Sequence, residues 1–376
     1  MTSDLIACGG SNGEIRIHDL STYKCVHAID SALYHKGLIH VNKVAVNGNA
    51  LGVAGNPWIR LHPVDNLGAP GTVYEGHTSN VTSLSFQADN KWFVSTGEDG
   101  KLRLWDLRAR GFELGLSHGT PINCSDIHPN QGIVVFGDQA GYVNYFDLAG
   151  NSVMRRKIGE DSIGLGVHSL LFDDFNQLVC VHHNACLSLI PEAPASVNCS
   201  TETMQDPDLD PYDDASPRHS LTAPALIPLM SRSVSSNRAT RKDMGLEHKV
   251  VTGAESIQAS SFTNDIHSGT YITQVSLGKA ARGQPRPLAL SVSDGSVSVW
   301  RAVSTDDLYS LDVHVRTVNQ TWCWDTKLLD NRGRYALAAF ADGKCRLLDL
   351  ARPGSPQVSV FDAGCGKSVR SLALIS

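Results

Sequence analysis

The sequence has no basic stripe and no long apolar run, and each absence excludes a class of protein. Its 376 residues include 32 Lys and Arg against 38 Asp and Glu, a net charge of −6, with the two signs interspersed over most of the chain. This balance disfavours nucleic acid or an anionic membrane as the main partner. No run approaches the roughly 18 apolar residues of a membrane span, so direct membrane insertion is not expected.

The cysteines show no paired motif. There are nine, none at CxxC spacing, and most lie inside apolar strand patterns. This usage predicts reduced, buried thiols and not a disulfide framework. The N-terminal segment MTSDLIACGGSNGE has no basic region and only a short apolar run, so no signal peptide is expected. We therefore expect a cytoplasmic protein.

Common catalytic and cofactor motifs are also missing. GxxxxGK[ST] and HExxH do not occur. The string GCGKS at 364–368 lacks the spacing and the following helix of a phosphate loop. His182 and His183 would point to opposite faces of a strand, so a metal site is not expected there. The sequence thus predicts no catalytic residue, no cofactor, no metal and no small-molecule substrate.

The strongest positive signal is residues 74–108, YEGHTSNVTSLSFQADNKWFVSTGEDGKLRLWDLR. A Gly-His pair opens this segment, a Trp-Asp pair closes it, and three apolar-alternating strands lie between. This pattern is typical of one blade of a WD-repeat β-propeller. Four residues occupy the positions of the hydrogen-bonded tetrad of such repeats: His77, Ser95, Asp99 and Trp105. We expect this tetrad to be structural; catalysis by His77 with Asp99 is the weaker alternative.

Degraded copies of the Trp-Asp strand recur along the chain. Their second-position residues are 41 to 48 residues apart, except for one gap of 109. The sequence therefore predicts an all-β fold, a single seven-bladed propeller over 1–376 with an insertion at 193–248 between blades five and six. The predicted third strands are 15–20, 58–64, 102–107, 143–148, 186–192, 297–302 and 345–350.

The two chain ends carry complementary patterns. The segment LIACGG near the N-terminus matches a second strand, and residues 365–376 alternate like a first strand. We expect them to share one blade, which closes the ring and removes exposed sheet edges. The insertion is rich in Pro, Ser and Asp and poor in aromatic residues, so we expect it to be disordered. It is either a tolerated surface loop or a segment regulated by phosphorylation around Ser231 to Ser235.

Several phrases are more specific than the generic repeat. Together they closely resemble the G-beta-like, or lethal with sec thirteen, WD-repeat subunit of target-of-rapamycin kinase complexes. The resemblance is strong over 40–151, moderate over 310–376 and weak over 152–309. The sequence departs from the family at His62-Pro63, in the fifth blade and in the insertion, which indicates a divergent member. The phrases are AGNPWIRL (54–61), YEGHTSNVTSLSF (74–86), NKWFVSTGEDGKLRLWDLR (90–108), HPNQGIVVFGDQAGYVNYFDLAGN (128–151) and QTWCWD (320–325).

The resemblance implies a non-catalytic adaptor that binds and stabilises the kinase domain of the target-of-rapamycin kinase, contacts other complex subunits and supports signalling. For the tryptophans among the implied contact residues, the alternative to a partner-binding role is structural packing between blades. Propellers bind through the loops around their central channel, where rigid aromatic anchors are typical. The candidate partner-binding residues are Asn56, Pro57, Trp58, Glu98, Trp322, Trp324 and Asp325.

Two other uses of the same scaffold stay open. The WDxR pattern from Trp105 to Arg108 resembles that of substrate receptors or scaffolds of cullin-type ubiquitin ligases, but it is short and frequent by chance. A heterotrimeric G-protein β subunit is disfavoured, because no helix for a γ partner precedes the first strand.

Overall fold

A computed structural model describes most of the chain outside the long insertion. The described residues are 5–29, 40–89, 91–108, 111–149, 152–157, 166–182, 187–190, 249–252, 260–262, 270–279, 284–303, 308–317, 320–330, 333–352 and 354–375. Their strands form seven sheets of four or five strands each. The all-β WD-repeat propeller class is confirmed. In the part of the chain that the structure describes, no helix is long and apolar enough to cross a membrane.

The first four sheets come from the N-terminal part of the chain, together with the C-terminal strand and one strand that follows the long insertion. From the inside outwards, the first sheet contains β29 (Val369–Ile375), β1 (Leu5–Gly10), β2 (Ile15–Asp19) and β3 (Cys25–Ile29). The second contains β4 (Val41–Asn47), β5 (Ala50–Gly55), β6 (Ile59–Pro63) and β7 (Thr72–Tyr74), with a 3-10 turn at Val64–Asn66. The third contains β8 (Val81–Phe86), β9 (Trp92–Gly97), β10 (Lys101–Asp106) and β11 (Gly111–Ser117). The fourth contains β12 (Ile122–Ile127), β13 (Ile133–Asp138), β14 (Tyr142–Asp147), β15 (Ser152–Lys157) and β19 (Lys249–Thr252).

The last three sheets follow the same order. The fifth contains β16 (Val167–Phe172), β17 (Leu178–His182), β18 (Leu187–Ile190) and β20 (Ser260–Phe262). The sixth contains β21 (Ile272–Leu277), β22 (Leu288–Val292), β23 (Ser296–Val303) and β24 (Leu308–Arg316). The seventh contains β25 (Cys323–Leu328), β26 (Tyr335–Phe340), β27 (Lys344–Asp349) and β28 (Gln357–Asp362). Each predicted Trp-Asp strand coincides with the third strand of its sheet.

The innermost strands form a closed ring. Each packs against the innermost strand of the next sheet, and β29 completes the circle by packing against β4. The core therefore lies between neighbouring sheets, where apolar residues of one sheet meet those of the next. Between the second and third sheets, for example, Ile59 and Tyr74 pack with Phe93 and Trp105.

Tight turns between second and third strands keep the repeat short. At the turn of the sixth sheet, Gly295 has a φ of +82°, which an L side chain rarely adopts. A Cβ there would also lie 2.6 Å from the carbonyl oxygen of Thr321 in the next sheet. The side chain of Asp294 stabilises this turn by accepting a hydrogen bond from the backbone N–H of Ser296 at 2.9 Å.

The chain ends share the first sheet, as predicted. Strand β29 pairs antiparallel with β1, with Leu5 opposite Ile375 and Gly9 opposite Ser371. The C-terminal strand is thus the innermost member and the N-terminal strand the second, so neither leaves an open edge inside the ring.

The predicted insertion lies at a different point of the repeat. Residues 191–248 fall outside the described residues, and so do the predicted disorder and the phosphorylation segment. After them the chain adds β19 in parallel to β15 of the fourth sheet, and then β20 antiparallel to β18 of the fifth. The insertion thus separates the third and fourth strands of the fifth sheet, and its predicted position between two blades is wrong. The fourth strand, SSF, is too short to show a strand period.

Candidate partner-binding face around the central channel

The tetrad residues form one buried network in the third sheet. His77 bonds through Nδ1 to the carboxylate of Asp99 at 3.0 Å and through Nε2 to Ser95 Oγ at 2.7 Å. The indole N–H of Trp105 donates to the same Ser95 oxygen at 2.8 Å. Burial alone would raise the pKa of Asp99, but hydrogen bonds from His77 and from backbone N–H groups lower it below its usual value.

These Ser, His and Asp side chains resemble a hydrolase triad, but their hydrogen bonds hold a loop against two strands. We call this structural network the staple. Ser95 is 0% exposed and its oxygen already accepts from Trp105, so it has no path to a substrate. The network joins the loop before β8 to both β9 and β10. It therefore fixes the turn that carries Glu98 on the surface.

The predicted partner-binding residues come from chain segments at one face of the ring. We call it the upper face: the innermost strands begin there, and the turns between second and third strands lie there. Asn56 and Pro57 occupy such a turn in the second sheet, and Glu98 occupies one in the third. Trp322 directly precedes β25, and Trp324 and Asp325 are the second and third residues of that strand.

Trp322 is the one exposed tryptophan among these candidates. Its side chain is 43% exposed, and it stands between two other aromatic rings. The ring centroid of Tyr271, itself 51% exposed, is 6.4 Å away, and that of Trp324 is 5.2 Å away. Exposed aromatic residues on rigid strand ends are typical anchors of protein interfaces.

Tyr271 was not among the predicted residues, although the sequence contains a signal for it. A Thr and an aromatic residue directly precede the innermost strand in both the sixth and the seventh sheets, as Thr270-Tyr271 and Thr321-Trp322. Because the two sheets are neighbours in the ring, equivalent positions in the repeat lie side by side. An alignment of the two repeats would have identified the pair.

Trp324 occupies a different environment, on the wall of the channel. It is the second residue of β25, and its indole N–H, a buried atom, has no hydrogen-bond partner among the described residues. In four other innermost strands, the second residue has a short side chain. That side chain donates a hydrogen bond to the backbone carbonyl of the first residue of the innermost strand in the next sheet. These bonds are Asn42 to Val81 (3.0 Å), Thr82 to Ile122 (2.7 Å), Asn123 to Val167 (3.0 Å) and Thr273 to Cys323.

Asp325 is buried and joins two sheets. It is 2% exposed, and it accepts a hydrogen bond from the backbone N–H of Leu372 at 2.9 Å. Its other oxygen lies 3.1 Å from the ammonium of Lys327. The structure therefore places Asp325 between the seventh and first sheets and not on the partner-accessible surface.

The candidate residues in the second sheet are all half-buried. Trp58 is half-buried and packs against the apolar cluster between the first and second sheets. Asn56 and Pro57, joined by a cis peptide bond, are half-buried at the turn before it. Glu98 is exposed at the channel mouth, where the side-chain amide of Asn80 donates to it at 2.8 Å.

The channel is a polar cavity of about 570 Å³ lined by the innermost strands. Asp126 lies on its wall and accepts hydrogen bonds from the backbone N–H groups of Ile127 and Phe172, both at 2.9 Å. Burial raises the pKa of this carboxyl to about 6 despite these bonds. Among the described residues, no group of three or more His, Cys, Asp or Glu side chains could hold a metal ion.

Known proteins resemble the chain in both sequence and fold. The family model described as "WD domain, G-beta repeat" matches residues 68–106. The target of rapamycin complex subunit wat1 of Schizosaccharomyces pombe is 34% identical over 149 residues, covering 39% of this chain and 48% of that protein. The LST8 subunit of Saccharomyces cerevisiae is 29% identical over 159 residues, covering 42% and 52%. The chain thus spans about half the length of the curated relatives it matches.

Solved structures support the fold alone. The β-propeller domain of Myceliophteria thermophila Cps50 (Swd1) superposes with a TM-score of 0.58 at 14% identity, covering 86% of each chain. The WD40 repeats of RRP9 give a TM-score of 0.59 at 12% identity, covering 90% of this chain and 88% of that one.

Proposed function

We propose that this chain, a divergent LST8-like WD-repeat protein, is a non-catalytic adaptor subunit of a target-of-rapamycin kinase complex. In this role it binds the kinase domain, stabilises it and contacts other subunits of the complex. The observation that carries the proposal is the similarity to curated subunits of these complexes. Because the similarity spans about half of each relative, the kinase contact is inferred and needs a direct test.

The upper face supplies a surface suited to this role. Tyr271 and Trp322 offer a contiguous aromatic anchor, and the strands that carry them are fixed by the closed ring. Burial of such an anchor under a partner contributes more to affinity than scattered polar contacts do. Asn56, Pro57 and Glu98 lie on the same face and extend the proposed contact towards the second and third sheets.

Affinity purification of the tagged full chain from the cytosol of its source cells, followed by mass spectrometry, tests the proposal. We expect recovery of a target-of-rapamycin kinase. Substituting both Tyr271→Ala and Trp322→Ala should reduce kinase recovery at least about tenfold, as expected for hot-spot residues. Phe175→Ala is the matched control: this aromatic residue is 40% exposed in the turn between β16 and β17, on the opposite face.

Two outcomes would contradict the proposal. One is recovery of cullin adaptors without the kinase, which would favour the ubiquitin-ligase alternative. The other is absence of the kinase from repeated purifications of a soluble, folded chain. Equal kinase recovery by the double variant and the control would instead place the contact on another surface.

A further inference from the structure

Three consecutive sheets place unmatched hydrogen-bond donors on one wall of the channel. Trp324 lies on β25 of the seventh sheet, Arg370 on β29 of the first and Lys43 on β4 of the second. All three line the same cavity. The strands that carry them pack side by side in the ring, β25 against β29 and β29 against β4. The three side chains therefore approach the channel from adjacent positions.

None of these donors has an acceptor among the described residues. The indole N–H of Trp324 is buried without a hydrogen-bond partner. The guanidinium of Arg370 lies 5.6 Å from the centre of the Trp324 ring, a cation–π contact that leaves its N–H groups available. No ion pair of the Lys43 ammonium is found, and burial is the main cause that lowers its pKa. An acceptor that entered this site could bond to all three.

Neighbouring carboxylates do not fill this role. Asp325 is already bound by Lys327 and by the backbone N–H of Leu372. Asp126 accepts two backbone hydrogen bonds on the fourth sheet. Glu98 is held by Asn80 on the third. The wall formed by the seventh, first and second sheets thus carries one neutral N–H and two cations that form no ion pair among the described residues; Asp325 and Asp126 act on the charge of Lys43 only from beyond ion-pair distance.

We propose that Trp324, Arg370 and Lys43 bind a phosphate group, either free phosphate or a phosphate carried on a small molecule. A phosphate ester carries a charge of about −1.5 to −2 at pH 7, which matches two cations. A carboxylate would leave one cation unmatched. Arginine and indole N–H groups suit the several oxygens of a phosphate, and a cavity of about 570 Å³ has room for the molecule that carries it.

Calorimetric titration of the full chain at low salt tests this site. The probes are inorganic phosphate and myo-inositol hexakisphosphate, with sulfate and acetate as comparison ions. We expect saturable binding of one equivalent of a phosphate probe. Preference for inorganic phosphate would identify a free-phosphate site, and preference for the hexakisphosphate would identify a phosphorylated small molecule as the ligand.

The variants decide whether the named residues form the site. Arg370→Gln and Lys43→Met should each weaken phosphate binding about tenfold, because each removes one charge-assisted contact. Trp324→Phe keeps an aromatic ring at this position but removes the indole N–H, and it should weaken binding severalfold. Arg316→Gln is the control: this arginine is exposed on the outermost strand of the sixth sheet, and its loss should leave binding unchanged.

The proposal is overturned if neither phosphate probe gives a saturable signal. It is equally overturned if Arg370→Gln and Lys43→Met bind as the parent does while thermal unfolding shows them folded. Sulfate and acetate binding as tightly as phosphate would indicate general charge attraction and would also contradict it. Kinase recovery is measured separately, so failure here leaves the adaptor proposal standing.

Discussion

At the scale of single residues, polar groups decide where this propeller is rigid. The third sheet has the complete network of His77, Ser95, Asp99 and Trp105, with every hydrogen bond between 2.7 and 3.0 Å. In the sixth sheet, the indole N–H of Trp300 donates instead to Ser298 on its own strand, at 3.0 Å. The first arrangement joins a loop to two strands, whereas the hydrogen bond of Trp300 to Ser298 lies within one strand. The strength of the staple therefore differs from sheet to sheet.

Ser95→Ala tests the staple. The substitution removes the buried hydroxyl that accepts a hydrogen bond from the indole N–H of Trp105 and bonds to Nε2 of His77. We expect a loss of about 1–3 kcal/mol in the free energy of unfolding, measured by urea denaturation. Ser79→Ala, which removes only a long 3.4 Å contact to exposed Glu98, should change stability by less than about 0.5 kcal/mol. Similar losses in both variants would contradict the account of the tetrad.

Titration of Asp126 makes the stability of the folded chain depend on pH. Its folded-state pKa, about 6, lies above the usual carboxyl value of 3.8, so the folded chain holds the proton more tightly than the unfolded chain. The contribution of this group is therefore most favourable at low pH and is lost as pH rises from about 4 to about 6. In Asp126→Asn this component should vanish, so the variant's stability should fall less over that interval. An unchanged slope in urea midpoints would contradict the assignment.

At the scale of elements, the alternating sequence pattern predicted where the strands lie along the chain. It did not predict equally well which strands are neighbours in space. The third strands were found from the sequence because the Trp-Asp pattern recurs at nearly constant spacing. The partners of β19 and β20 could not be predicted, because three or four residues carry no period and pair across the long insertion. Similarly, Asp325 is buried where it accepts a hydrogen bond from β29, a strand of another sheet, so its burial could not be predicted from its own repeat.

Closure of the ring by β29 makes a second element-scale prediction. Leu372 is fully buried and its N–H bonds to Asp325, so Leu372→Asp should cost about 2–5 kcal/mol or abolish soluble expression. Arg370→Gln, on the exposed side of the same strand, should leave stability nearly unchanged. Thermal unfolding of the two variants provides the measurement. A stable, soluble chain lacking 365–376 would show that closure is dispensable.

The insertion is tested by limited proteolysis. Its composition predicts that residues 193–248 are cut first, since chain that cannot bury apolar surface is open to a protease. The propeller should remain as two fragments held together, because strands on both sides of the insertion belong to the same closed ring. Resistance of 193–248 under conditions that cut within the sheets would contradict the predicted disorder.

At the scale of the whole molecule, the sequence was enough for the architecture and only partly enough for the site. Repeat spacing predicted the ring, because each sheet uses the same local rules, and the strand patterns of the two chain ends predicted its closure. Site residues depend on what lies beside them in the ring. Trp322 is exposed next to Tyr271, whereas Trp58 is packed against the first sheet, and the two tryptophans look alike in sequence.

The upper face is the central claim, and binding between purified proteins tests it most directly. The full chain and a target-of-rapamycin kinase from the same source would be mixed, and the dissociation constant measured by interferometry. The account predicts saturable binding that Tyr271→Ala with Trp322→Ala weakens at least about tenfold and that Phe175→Ala leaves intact. No detectable binding by the folded chain, or equal affinity of the two variants, would contradict it.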